Sequence, residues 1–206
     1  FLAEARPLIF DVSDTTARES VRTMKQLTES HLRRRGQTWG EVKLGEGSIR
    51  DIEFVVQYLQ LAHGREHPAV CTSNTLDALN RLTAHGYLAQ RDTRILTDGY
   101  IFLRTIEHYL QMMHYRQTHA LPEDLMSLTQ LARRLGFTGR SAGQLFINRY
   151  EEHRAAIRAV YLKFLGEPPM NEEPTTLQSN GTSSAHIARM DAAYTTVFTP
   201  QEIRRH

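Results

Sequence analysis

Ser48-Ile49-Arg50-Asp51-Ile52-Glu53-Phe54-Val55-Val56-Gln57-Tyr58-Leu59-Gln60-Leu61-Ala62-His63 is the stretch whose periodicity decides the fold. Ile49, Ile52, Val56 and Leu59 recur at the spacing of one helix face. Arg50, Glu53 and Gln57 form a polar face opposite them. Ser48 with Asp51 three residues on reads as a capping box, and Gly64 as the stop.

The same grammar repeats in both directions. Upstream, Thr16-Ala17-Arg18-Glu19 is a second box, followed by Ala17, Val21, Met24 and Leu27 as an apolar stripe that Gly36 ends. Downstream, Leu76, Leu79 and Leu82 mark a shorter helix closed by Gly86. The longest segment runs from residue 92 to about 117, with Ile95, Phe102, Ile106, Tyr109 and Met113. Pro122 suits a helical first turn, where its missing N–H has no partner to lose, ahead of Leu125, Leu128, Leu131 and Leu135. Ser141 opens the last helix, bearing Leu145, Phe146, Tyr150, Ile157, Tyr161 and Phe164. No alternating run is long enough for a sheet. The pattern predicts an all-α antiparallel bundle of about six helices over residues 1–165, joined by loops of about 4–10 residues.

From residue 166 the composition changes. Residues 166–184 hold three prolines, two glycines and a single leucine among Ser, Thr, Asn and Glu, too little apolar surface to offset the entropy of ordering, so a flexible linker is expected. Residues 185–206 read as the start of a following segment: a short helical piece over 185–196, then Thr199-Pro200-Gln201-Glu202 as a third capping box. A helix opening so close to His206 predicts that the polypeptide continues.

Charge and cysteine content narrow the class. Lys plus Arg total 25 against 23 Asp plus Glu, a net +2 with the ten histidines neutral, and such balance makes no whole-chain case for nucleic-acid binding. One cysteine, Cys71, cannot form an internal disulfide, which fits a reducing, cytoplasmic setting. No apolar run approaches the ~18 residues of a membrane span, so no membrane contact is expected.

Few residues invite chemistry. His63 and His67 stand four apart, but Gly64 and Pro68 interrupt the helix that would align them. His108, His114 and His119 share no face, and Cys71 has no base in sight. No phosphate loop, nucleophile elbow or Asp-x-Asp pair occurs, so no catalytic or metal-binding residue is assigned. The exception is Lys43-Leu44-Gly45-Glu46-Gly47, which leads into the helix opened by Ser48. Two glycines loosen the backbone before a helix N-terminus, where free amides and the dipole favour an anion. Lys43 lies upstream, and Arg50 and Glu53 are one turn apart. An ordinary capped helix start with a surface ion pair accounts for the same spacing.

These residues also resemble a known signature. The glutamine synthetase adenylyltransferase/adenylyl-removing family carries Lys-x-Gly-x-Gly-Gly-Ile-Arg-Asp-Ile-Glu-Phe in the helical domain that follows each nucleotidyltransferase domain. Lys43, Gly45, Gly47, Ile49, Arg50, Asp51, Ile52, Glu53 and Phe54 match it, with Ser48 replacing the adjacent Gly. Further on, Gln57 with Gln60-Leu61, Thr75-Leu76 with Ala78-Leu79, Phe102-Leu103-Arg104 with Ile106-Glu107-His108 and Leu110-Gln111, Gln117-Thr118-His119 with Leu121-Pro122, and Leu131-Ala132-Arg133 with Leu135-Gly136 look like the family's later elements. The PII uridylyltransferases share the architecture but fit these elements less well.

The resemblance implies a non-catalytic helical module that packs against a nucleotidyltransferase domain and helps position nucleotide or protein substrate. Lys43, Arg50, Asp51 and Glu53 are its substrate-proximal candidates, with Lys43 and Arg50 offsetting phosphate charge and Glu53 and Asp51 orienting the arginine. For the longer protein it implies AMP transfer to glutamine synthetase or AMP removal, ATP with Mg2+ or Mn2+ as cofactors, and a PII-type signal protein as partner. No cofactor is expected on this chain itself. A stand-alone helical protein-binding adaptor is the alternative. A self-sufficient helical metal-dependent phosphohydrolase is disfavoured, since no His-Asp ligand pair occurs.

Overall fold

The computed structural model describes residues 10–34, 36, 39–114 and 119–166. Six α-helices lie within them: α1 Asp14–Arg34, α2 Ile49–His63, α3 Thr75–Ala84, α4 Gln90–His114, α5 Leu125–Arg134 and α6 Ala142–Leu165, with a 3-10 turn at Pro68–Val70 between α2 and α3. The all-α expectation holds. The one β-type pairing among the described residues is an isolated bridge between Glu41 and Ala120. The readings for residues 1–9, for 115–117 at the end of the long helix, and for 167–206 lie outside the described residues.

The helix that decided the reading is the hub. α2 packs against α1, α3, α4 and α6. It buries not only Ile49, Ile52, Val56 and Leu59 but also Asp51, Phe54, Val55 and Tyr58. Each large apolar side chain so buried contributes ~1.5–3 kcal/mol. What stays open is the stripe of Arg50, Glu53 and Gln57, and in part the last turn from Gln60 to His63. Around α2 the core is completed by Leu79 and Leu82 of α3, Leu96, Leu103, Ile106 and Leu110 of α4, Leu131 of α5, and Phe146, Tyr150 and Ile157 of α6.

Four local expectations change. α1 begins two residues before Thr16, because Ser13 supplies the cap: its Oγ accepts from the Thr16 amide at 3.2 Å and its carbonyl from Ala17 at 2.9 Å. The apolar stripe of α1 also turns: Met24 and Leu27 are 59% and 65% exposed, while Lys25 is buried beside Ala17, Val21 and Leu32. Its ammonium has partners inside the bundle, described below, and that outweighs the apolar pattern. Pro122 is not in a first turn. Leu121 N–H donates to the Gly40 carbonyl at 3.0 Å, so the chain is still paired there, and α5 starts only after Asp124, whose carboxylate caps the Ser127 amide at 2.8 Å. Leu125 and Leu145, expected in the core, are about half exposed, at 51% and 50%.

The connection from α1 to α2 is longer than expected, fourteen residues by the helix bounds, and it is not a free loop. Glu41, Val42, Gly45, Gly47 and Ser48 are all buried. Gly47 adopts φ 65°, and a Cβ there would stand 2.2 Å from the carbonyl oxygen of Arg154 on α6. Both the left-handed backbone and the close approach of α6 demand glycine. Gly47→Ala should therefore destabilise the chain by at least ~2–3 kcal/mol in urea unfolding. Gly86→Ala, with φ 80° but open space around it, should cost only the ~1–2 kcal/mol of the backbone conformation.

Candidate functional site

The four signature candidates separate into an inner and an outer set. Asp51 is fully buried. Its carboxylate pairs with the ammonium of Lys25, accepts from the Gly47 amide at 2.8 Å and receives Arg158 of α6 at 3.4 Å. Lys25 also donates to the Gly45 carbonyl at 2.7 Å and meets Glu29 at 3.3 Å. Asp51 thus organises the loop and does not orient Arg50, which corrects its assigned role. The capping box works only by half: the Ser48 hydroxyl is buried and caps nothing, while Asp51 reaches back one residue further, to Gly47.

A cleft of about 460 Å³ between α1 and α6, lined by Arg22, Lys25, Glu29, Arg33, Arg158 and Tyr161 among others, opens over this network. Burial first, and Asp51 second, push the Tyr161 phenol up to about 12, so it stays neutral beside them.

The outer set is Lys43, Arg50 and Glu53. Arg50 bonds Glu53 at 3.1 Å and its guanidinium lies 5.5 Å from the centre of the Phe54 ring. Both side chains are partly open, 36% and 26% exposed. Lys43 turns toward α4, where its Nζ stands 3.2 Å from Glu107. The helix N-terminus between them offers no free amides for an anion: Ile49 N–H donates to the Val42 carbonyl at 3.1 Å, Arg50 to Lys43 at 3.0 Å and Asp51 to Ser48 at 3.1 Å. The preceding glycines fold the loop back onto its own helix and so close the site that their spacing suggested.

Sequence reasoning missed Lys25, Arg158 and Glu107. Lys25 was hidden by a hydrophobic stripe drawn through Met24, and Arg158 lies more than a hundred residues from its partner Asp51. Glu107 is 3% exposed and gathers Lys43, Arg104 at 2.6 Å and His119 at 3.2 Å. Its surroundings were legible only as separate motif fragments.

His63 and His67 behave as structural residues. His63 stacks on Tyr87 with centroids 3.7 Å apart, and the Tyr87 hydroxyl meets His67 Nδ1 at 2.5 Å. No described group of three or more His, Cys, Asp or Glu is placed to hold a metal ion. Among the described residues no helix is long and apolar enough to cross a membrane.

A helical bundle with a charged loop clamped onto its central helix defines the class, and comparison with known proteins agrees. Residues 22–165 match the family described as GlnD PII-uridylyltransferase, which places the chain among helical domains associated with nucleotidyltransferases. The chain belongs to the glutamine synthetase adenylyltransferase/adenylyl-removing enzyme family. It is 37% identical over 150 residues to the bifunctional enzyme of Streptomyces avermitilis, covering 72% of this chain and 15% of that protein. It is 36% identical over 172 residues to the Pseudomonas aeruginosa enzyme, covering 83% of this chain and 17% of that one. Against the Hahella chejuensis enzyme the match is 30% over 192 residues, 93% of this chain and 20% of the relative. The chain thus spans a fifth or less of the length of these relatives.

Two outcomes follow for stability. Asp51→Asn, which takes from the buried Lys25 and from Arg158 the carboxylate they share, should cost ~3–5 kcal/mol in denaturant unfolding, whereas Glu53→Gln at the open pair should cost less than ~1 kcal/mol. Burial lowers the imidazole pKa of both His63 and His153 below the usual 6.5. Below about pH 6.5 the unfolded chain therefore takes up protons that the folded chain refuses, and stability should fall as pH drops through that window. His63→Phe, which keeps the stack on Tyr87, should flatten the acid limb of a melting-temperature profile.

Proposed function

We propose that the chain is the non-catalytic helical module of a glutamine synthetase adenylyltransferase-like protein. In this reading it packs against a nucleotidyltransferase domain and presents Arg50, Glu53 and Lys43 toward the nucleotide or protein substrate. One observation carries the reading. From Ile49 to Leu59, α2 is buried on every side except the stripe of Arg50, Glu53 and Gln57, and the family signature continues onto that stripe although the bundle core makes no use of it. Family membership supports the role, since the relatives' names describe adenylyl transfer to and removal from glutamine synthetase. The interior residues of the signature then serve to hold the exposed ones in place.

The substrates and partners proposed for the longer protein are glutamine synthetase, a PII-type signal protein and ATP with Mg2+ or Mn2+. The carboxylates of this site do not suit the metal. Asp51 is taken by Lys25 and Arg158, Glu53 by Arg50, and Glu107 by Lys43 and Arg104. A divalent cation would have to displace an existing partner at each, so its place is assigned to the neighbouring catalytic domain.

The test is Arg50→Ala in the full-length protein carrying this chain, with thermal melting and adenylyl turnover measured together. The expected result is an unchanged melting temperature with turnover lowered tenfold or more, about 1.4 kcal/mol of transition-state stabilisation. Unchanged turnover, or a loss that tracks unfolding, would leave Arg50 as half of a surface ion pair and favour a plain protein-binding adaptor.

A further inference from the structure

Three stretches far apart in the sequence meet at one buried carboxylate. Glu107 of α4 receives Lys43 Nζ at 3.2 Å from the loop before α2, Arg104 Nη1 at 2.6 Å from its own helix, and His119 Nδ1 at 3.2 Å from the segment before α5. The main chain fixes this meeting independently of the charges. The Val42 amide donates to the His119 carbonyl at 2.8 Å, and Glu41 bridges to Ala120. Glu41, the other carboxylate on this loop, is turned onto backbone, accepting from the Lys43 and Leu44 amides at 3.0 and 3.2 Å.

One carboxylate, Glu107, is shared by two permanent cations, and the nearby Glu41 pairs with backbone amides and with neither of them. Lys43 and Arg104 remain 34% and 49% exposed, while Glu107 is sealed beneath them at 4%. Arg104 spends one N–H on Glu107, and the rest of its donor fork is available for an oxyanion. Glu107 Oε1 and His119 Nδ1 are both buried and face each other at 3.2 Å without the alignment of a hydrogen bond.

We propose that Glu107 is a positioning residue that gathers Lys43, Arg104 and His119 into one phosphate-binding face. This rests on the reading of the chain as a module beside nucleotidyl chemistry, and it names the ligand class: a phosphate group, carried by a nucleotide or free. His119 keeps Nδ1 turned toward Glu107, which directs Nε2 away from the carboxylate, where the imidazolium form would offer it as a further donor.

The experiment is a titration of the isotopically labelled 206-residue chain with inorganic phosphate, pyrophosphate and AMP at constant ionic strength, followed by NMR at the Lys43, Arg104 and His119 signals. Saturable shifts at these residues are expected. Glu107→Gln is the decisive variant, because the two explanations predict opposite signs. Simple charge attraction makes it bind phosphate more tightly, since a negative charge is gone. Positioning makes it bind at least tenfold more weakly.

Equal or tighter binding by Glu107→Gln overturns the proposal, as does the absence of saturable shifts in the parent chain. If Glu107→Gln does not fold, Lys43→Gln and His119→Gln serve instead. Each should weaken binding tenfold with the fold intact, and undiminished binding by both would overturn the proposal equally. Preference for AMP over inorganic phosphate assigns the face to a nucleotide, and equal affinity assigns it to the phosphate group alone. Either preference supports the site. The Arg50→Ala turnover result is independent of these signals, so the two readings fail separately.

Discussion

A single ammonium group inside the bundle sets the geometry of everything around it. Lys25 is 1% exposed and faces Asp51, Glu29 and the carbonyls of Leu44 and Gly45. It thereby joins α1, the loop before α2 and the first turn of α2 at one point. Taking a lysine and an aspartate out of water costs several kcal/mol for each ion, and a well-packed apolar pair is often no less stable. Net stability is therefore a poor account of the pair. Its effect is on shape: apolar replacements would leave the Gly45 carbonyl and the Gly47 amide without partners, and the loop would have no reason to lie where it does.

Loop placement is what links this interior to the surface. With the loop held by Lys25 and Asp51 from below, by Glu41 on its own amides, and by Arg154 donating to the Glu46 carbonyl at 3.0 Å, Lys43 has little freedom of backbone position. Its side chain then meets Glu107 across α4. Arg50 emerges one residue before Asp51, so the buried pair also fixes the rotation of α2 that turns Arg50, Glu53 and Gln57 outward. A one-residue change in that rotation would bury the arginine and expose the aspartate.

The helices were legible because period and stop signals agree: Gly36, Gly86 and Gly136 all sit at positive φ just beyond a helix, whereas the side-chain caps at Asn74 and Asp124 were not read. What else failed to be legible was long-range. The stripe through Met24 and Leu27 had correct spacing but the wrong orientation, since nothing local reveals that Lys25 has an aspartate waiting 26 positions away. The anion site inferred from Gly45 and Gly47 failed for a related reason. The glycines are required by backbone approach, Gly47 to the Arg154 carbonyl and Gly45 to the Glu41 carbonyl, 2.9 Å from where its Cβ would be, and that approach is made by the fold and not by a ligand. Of the site candidates, Arg50 and Glu53 were paired correctly, Lys43 was found without its partner, and Asp51 was given the work of a surface residue because alternation along Ile49-Arg50-Asp51-Ile52-Glu53 does not say which carboxylate points inward.

That last ambiguity explains how one short stretch serves two purposes. Asp51 and Glu53 are chemically near-identical acids two positions apart on one helix, some 200° around its axis, and the burial of α2 divides them. The inward acid meets a lysine that is itself enclosed by the bundle and becomes scaffold. The outward acid meets an arginine in partial solvent, where an i,i+3 pair is worth only a few tenths of a kcal/mol and can be given up to a competing anion at small cost. Charge enclosed by the bundle holds the loop in place, and charge of the same kind at its edge remains free to exchange partners.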